Sequence, residues 1–162
     1  MCDITYIYTT DDKFCYLHLV TDAFSRMIIG YVLSPTLEAM YTIEALQQAI
    51  SHAGGGNLCG TIHHSDRGVQ YCCDEYIMLL KEHHIRVSMT EDSNPTDNGM
   101  AERVNGIIKN EFLEPLPTPK NLLEAIPLVD HAIHTYNTLR PHLNLNMRTP
   151  AQVYEENKNF IS

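Results

Sequence analysis

The sequence lacks any apolar run near the roughly 18 residues that cross a bilayer, and it opens on no leader of the secretory kind. A membrane-spanning or exported protein is therefore not expected. Basic residues are scarce: eleven Lys and Arg against twenty Asp and Glu leave a net charge of −9. That balance argues against tight, sequence-blind DNA binding by bulk charge. Clustered carboxylates loaded with divalent cations, however, no longer repel phosphate. The five cysteines include one adjacent pair and no C-x-x-C spacing, so reduced thiols in a cytosol-like compartment are expected. The triple glycine at 54–56 is followed by no Gly-Lys-Ser/Thr and is read as a helix terminator, not a phosphate loop. No G-x-S-x-G is present. His63-His64, Cys72-Cys73, His131 and His134 make no four-ligand set at structural-zinc spacing.

What is present reads as one domain with a sizeable core. Three strands open the chain, over residues 2–9, 14–20 and 27–33, rich in β-branched and aromatic residues and joined by short links, so an antiparallel meander is expected. Asp22 and Ser25 suit the second turn. Helical periodicity follows over 36–52, a short strand over 58–63, a helix over 74–84 and a strand over 85–88. A helix starts near Asp97 or Asn98 and continues to Leu113; a long helix covers 121–139 and a short one begins at Thr149-Pro150. The polar segment from Met89 to Pro95 is expected to be mobile.

Three carboxylates stand out on this outline. Asp3 lies in the first strand, where Asp is unusual, Asp66 just past the fourth strand, and Glu102 on the helix after the fifth. Each has an ordinary reading too: a frayed strand start, an Asp-Arg-Gly turn, a solvated helix face. On the same ridge as Glu102, one or two turns on, lie Asn105 and Lys109. The element order fits a ribonuclease-H-like α/β fold, a mixed five-stranded sheet flanked by helices. There a crossover helix makes the first and fourth strands parallel neighbours, setting Asp3 beside Asp66 with Glu102 approaching from a helix. Such a trio raises its members' pKa unless a cation intervenes, and hard oxygen donors suit Mg²⁺ or Mn²⁺.

Several blocks resemble the catalytic core of insertion-sequence transposases related to retroviral integrases. They are Asp3-Ile4-Thr5-Tyr6-Ile7, Asp22-Ala23-Phe24-Ser25-Arg26, His64-Ser65-Asp66-Arg67-Gly68-Val69-Gln70-Tyr71 and Asp97-Asn98-Gly99-Met100-Ala101-Glu102. Tyr136-Asn137-Thr138-Leu139-Arg140-Pro141-His142 and Thr149-Pro150 resemble the family's C-terminal signature. Residues 67–101, thirty-five of them, separate Asp66 from Glu102, the interval of that family's Asp-Asp-(35)-Glu triad. The resemblance implies DNA strand cleavage and strand transfer with two divalent ions, Mg²⁺ or Mn²⁺, on Asp3, Asp66 and Glu102, and DNA contacts at Asn105 and Lys109. It implies a single integrase-like core over residues 1–162, with a C-terminal tail from about 140, cut from a longer transposase whose DNA-recognition region precedes it. The partners implied are DNA ends, target DNA and further copies in a homodimer or higher oligomer, with no membrane, in the bacterial cytoplasm at the nucleoid. Two alternatives stay open: a silent DNA-binding or oligomerising remnant, and a ribonuclease-H-type nuclease.

Overall fold

A computed structural model describes residues 1–56, 58–89 and 99–161, the last four of these without side chains. The β-branched and aromatic opening forms β1 (Cys2–Thr9), β2 (Lys13–Thr21) and β3 (Ile28–Ser34). They pair antiparallel in the order β1-β2-β3, with Asp3 opposite Leu19 and Leu19 opposite Tyr31. The turn between β2 and β3 is tied by Asp22, whose Oδ2 accepts from the Ser25 amide (2.8 Å) and hydroxyl (2.6 Å), as the sequence suggested.

Each face of this meander is covered by helices. On one face lies α1 (Ala39–His52), whose Ala45, Leu46, Ala49 and Ile50 meet Val20 and Cys2. Close seating requires the absence of a side chain on β3: a Cβ at Gly30 would lie 2.2 Å from the Ala45 carbonyl oxygen and 2.8 Å from the Ala49 nitrogen. The helix stops at the glycine run, where the Gly55 amide reaches back to the Ile50 carbonyl (2.9 Å) from positive φ, a conformation glycine takes without penalty. α2 (Asp74–Glu82) adds Tyr76 and Leu80 to the same core.

On the other face α3 (Gly99–Ile107) and α4 (Leu122–Thr138) pack Val104, Val129, Ala132, Ile133 and Tyr136 against Ile7, Leu17, Leu19 and Ile28. Asn121 caps α4, its side chain accepting from the Glu124 amide (3.1 Å). After a single 3₁₀ turn at Leu143–Leu145 the described chain ends with α5 (Pro150–Ile161), longer than the short helix expected through Tyr154.

Three local expectations are corrected. β4 (Ile62–Ser65) begins later than position 58, because residues 58–61 close a turn: Thr61 N–H donates to Leu58 O (3.0 Å) and Gly60 takes a positive φ. β4 then pairs in parallel with β5 (Arg86–Met89). Among the described residues the five strands form two ladders, of three and of two, instead of one continuous five-stranded ladder. The short β4 meets β1 through side chains: His63 Nε2 lies 3.0 Å from Cys2 Sγ and 2.8 Å from the Tyr76 hydroxyl. Third, the helix bearing Glu102 is α-helical only to Ile107 and continues as a π-helix over Ile108–Leu113, with Glu114 N–H donating to Lys109 O (2.8 Å). The wider turn buries Ile108 and sets Glu111 against Arg140, whose Nε and Nη2 each donate at 2.7 Å. The cap at Asp97 or Asn98 and all of the 89–95 segment except Met89 lie outside the described residues.

Candidate active site

Asp3 stands where β1 passes the end of β4. Its Oδ1 accepts from the Ile4 amide (3.0 Å) and its Oδ2 from the Asn105 side-chain amide (2.7 Å). The carboxyl is pushed up to about 6, chiefly by burial. The two hydrogen bonds pull the other way, and the charges of Asp66 and Glu102 push it further up. Asp3 on its strand therefore feels the charges of Asp66 on a loop and Glu102 on a helix.

Asp66 follows β4 directly and is exposed; its Oδ1 accepts from the Gly68 amide (2.8 Å) in a side-chain turn that fixes where the carboxylate starts from. Glu102 is exposed in the first turn of α3. No three His, Cys, Asp or Glu side chains among the described residues are gathered closely enough to hold a metal ion. The donor chemistry nonetheless suits a hard divalent cation. Asp3 is a carboxylate on which negative charge is already unfavourable, with the charges of Asp66 and Glu102 acting on it, and the Asn105 carbonyl oxygen beside it is buried with no hydrogen-bond partner among the described residues.

Asn105 departs from the polar ridge expected of it. It is buried at 5% exposure, turned into the seam with Asp3, while Glu102 stays in solvent. Lys109, beyond the change to π-helix, is half-buried along a groove of about 340 Å³ shared with Tyr6, Tyr8 and Leu113. The structure thus joins Asn105 to Asp3, sets Asp66 and Glu102 within electrostatic reach of Asp3, and leaves Lys109 on a neighbouring groove.

Sequence reasoning missed the layer behind Asp3. Cys2, His63 and Tyr76 form a buried polar trio, with the Tyr76 ring edge-on to His63 and to Tyr71. Burial depresses the His63 imidazole to about 3, so the ring is neutral at physiological pH. The trio bridges β1, β4 and α2 one residue from Asp3 and three from Asp66. The only sequence sign was a histidine at an inward position of a strand. Its neighbour His64 bonds Ser88 Oγ on β5 (3.1 Å), and His131 and His134 are exposed on α4.

Two family profiles described as Integrase core domain match the chain, one over residues 1–95 and one over residues 83–150. The chain belongs to the integrase core domain family. Among its relatives, the transposase InsF for insertion sequence IS3A of Escherichia coli K12 is 32% identical over 158 residues, 98% of this chain and 53% of that protein. The putative transposase for insertion sequence element IS986/IS6110 of Mycobacterium tuberculosis is 35% identical over 118 residues, 71% of this chain and 42% of that one. This integrase core spans about half the length of the curated relatives it matches. Among solved structures, the HTLV-2 integrase catalytic core domain in complex with magnesium superposes with a TM-score of 0.71 at 26% identity, covering 94% of this chain and 92% of that one. The BIV integrase catalytic core shares the fold, with a TM-score of 0.67 at 19% identity over 97% of this chain and 95% of that one. The ribonuclease-H-like α/β class read from the sequence is therefore the fold of this core. Among the described residues no helix is long and apolar enough to cross a membrane.

Proposed function

We propose that this integrase core is the catalytic core of a transposase, which cuts DNA strands at an element's ends and joins them to a target. The observation that carries the reading is the setting of Asp3: a half-buried, hydrogen-bonded carboxylate whose proton affinity is raised chiefly by desolvation and further by the charges of Asp66 and Glu102. In this reading Asp3, Asp66 and Glu102 hold two divalent ions, Mg²⁺ or Mn²⁺, which supply charge stabilisation at the phosphodiester and activation of the attacking oxygen.

The chain's own residues do the rest. Asn105 Nδ2 keeps Asp3 Oδ2 oriented, and its free carbonyl oxygen remains available to an incoming donor. The Gly68 amide holds Oδ1 of Asp66, so that Oδ2 is the oxygen left for an ion. Asp3 must give up its proton, and with its pKa near 6 most of it is ionised at neutral pH. Lys109 offers its ammonium to DNA phosphate along the groove beside β1. Cleavage adds a water oxygen to phosphorus and releases a 3′-hydroxyl; joining adds that hydroxyl to a second phosphodiester and releases another. No bond to the protein forms in either step.

The HTLV-2 integrase core was solved in dimeric and trimeric forms, and we propose that this chain likewise works as a homodimer or higher oligomer, in the bacterial cytoplasm at the nucleoid. The test is a strand-cleavage and strand-transfer assay with Mn²⁺, DNA carrying the element's ends and an RNA–DNA hybrid in parallel. Asp66→Asn is expected to lose activity by on the order of a thousandfold, with its melting curve unchanged. Cleavage confined to the hybrid would make the core a ribonuclease-H-type nuclease. Activity unchanged in Asp66→Asn would end the metal-carboxylate reading.

A further inference from the structure

Beside α3 there is a second cavity, of about 500 Å³, with Arg26, Arg103, His142 and Asn144 on its polar wall and Met100, Val104, Ile107 and Tyr136 among its other lining residues. Its electrostatics run against those of the whole chain. Neither the Arg26 nor the Arg103 guanidinium has an ion-pair partner among the described residues. The nearby carboxylate Glu111 is already held by both forks of Arg140.

His142 supplies the sharper sign. Arg140 Nη1 lies 3.3 Å from His142 Nδ1. A guanidinium only donates, so Nδ1 accepts and the ring proton sits on Nε2. That Nε2–H is buried and has no acceptor among the described residues. An orphan buried donor is costly, and this one belongs to a ring that lines a cavity bordered by two cations, where an anion would satisfy it. The ring is held in place edge-on to Tyr136, at 5.0 Å and 85°. Burial first, and then the positive charges of Arg140 and Arg26, hold the imidazole below its ordinary range, so at neutral pH it is a neutral donor and not a third cation.

Arg26 is also positioned. It takes φ +66°, which a non-glycine residue adopts only when its surroundings demand it. Its amide donates to Asp22 O (2.9 Å) and its carbonyl accepts from the Tyr136 hydroxyl (3.0 Å). The second turn of the meander, the middle of α3 and the segment after α4 are thereby brought around one space.

We propose that this cavity binds a backbone phosphate of DNA, gripped by Arg26 and Arg103 and by the His142 Nε2–H. The proposal rests on the reading of this core as acting on DNA. A phosphate oxyanion could equally come from free phosphate, and the experiment separates the two.

The measurement is made on the 162-residue chain in EDTA, so that carboxylate-bound cations play no part. Affinity for a labelled DNA duplex is read by fluorescence anisotropy across a salt series, and the His142 side-chain N–H by ¹⁵N NMR with duplex or with inorganic phosphate. Arg103→Gln and Arg26→Gln are each expected to weaken duplex binding about tenfold and to lower the slope of log affinity against log salt by about one. Arg103→Lys should recover much of the loss and all of the slope, and duplex should shift the His142 Nε2–H signal. Melting curves check folding, and Arg103, exposed on α3, is the safer variant. Unchanged affinity and slope in Arg103→Gln would overturn the site. A His142 shift with inorganic phosphate but none with duplex would make it a small-anion pocket and overturn the DNA assignment. Mn²⁺-dependent cleavage lost in Asp66→Asn but untouched in both arginine variants would keep the proposed function and remove only this site. Duplex binding that depends on Arg103, with no cleavage under any metal, would do the reverse.

Discussion

Two polar groups on the neighbouring strands β1 and β2, Asp3 half-buried and His18 buried, are treated in opposite ways. His18 on β2 is fully enclosed and fully satisfied: Nδ1 lies 2.8 Å from Thr42 Oγ1 on α1 and Nε2 3.0 Å from Ser34 Oγ on β3, and Ser34 passes its own proton to Thr36 O at 2.7 Å. At the β1–β4 seam the polar atoms are only half provided for. The Asn105 carbonyl oxygen, His63 Nδ1 and Ser65 Oγ are buried without partners among the described residues, and Asp3 carries a raised pKa. Satisfied polar networks fix a unique packing; unsatisfied ones are kept where something must bind. The His18 side of the sheet holds the fold, and the Asp3 side holds an unfinished site.

The contrast can be broken most strongly on the structural side. His18→Ala removes a buried ring and leaves the Thr42 hydroxyl without its partner, and should destabilise the fold by about 2–4 kcal/mol; urea denaturation measures this, and cleavage per folded molecule should not change. On the functional side, Asn105→Ala should leave the fold nearly intact but weaken Mn²⁺ binding by about 10–100-fold, the usual consequence of removing a partner that orients a ligand. Calorimetric titration with Mn²⁺ reads this directly. Equal stability losses in the two variants would erase the distinction.

Acidity separates the regions by sign. His18 is held at about 4, below its ordinary 6.5, because burial disfavours the imidazolium. The unfolded chain therefore takes up its proton first, and the stability due to the neutral ring is lost as pH falls from 6.5 toward 4. Asp3 is raised from 3.8 to about 6, so its protonated form favours the fold, and that contribution is lost as pH rises through the same range. Denaturation between pH 4 and 6.5 should show a shallower acid decline in His18→Ala and a steeper one in Asp3→Asn. The smallest effect expected is that Asp3→Asn is more stable than wild type at pH 7, by about 1 kcal/mol, since a buried charge near two others is removed.

Much of the outline was legible because periodicity and turn chemistry are local. The meander, the Asp22–Ser25 turn, α1 with its glycine stop and α4 with its Asn121 cap all follow from neighbouring residues. The match to a known triad interval pointed at Asp3, Asp66 and Glu102. What was not legible depended on distant partners. β4 starts late because Gly60 turns the chain, and the turn is completed by a bond from Leu58 N–H to His83 O. The π segment after Ile107 accompanies an ion pair with Arg140, twenty-nine residues on. Asn105, polar and on a helix ridge, looked solvated until the fold put Asp3 opposite it. The cavity at Arg26, Arg103 and His142 draws on three elements, and no spacing along the chain announces it.

The central claim is that Asp3, Asp66 and Glu102 share divalent cations. Calorimetric titration of Mn²⁺ into the chain at pH 7.5, with Asp3→Asn, Asp66→Asn and Glu102→Gln alongside, tests it directly. Saturable uptake of two ions by the wild type, lost or reduced in every one of the three variants, is the result expected. A wild-type isotherm reproduced by all three would contradict it.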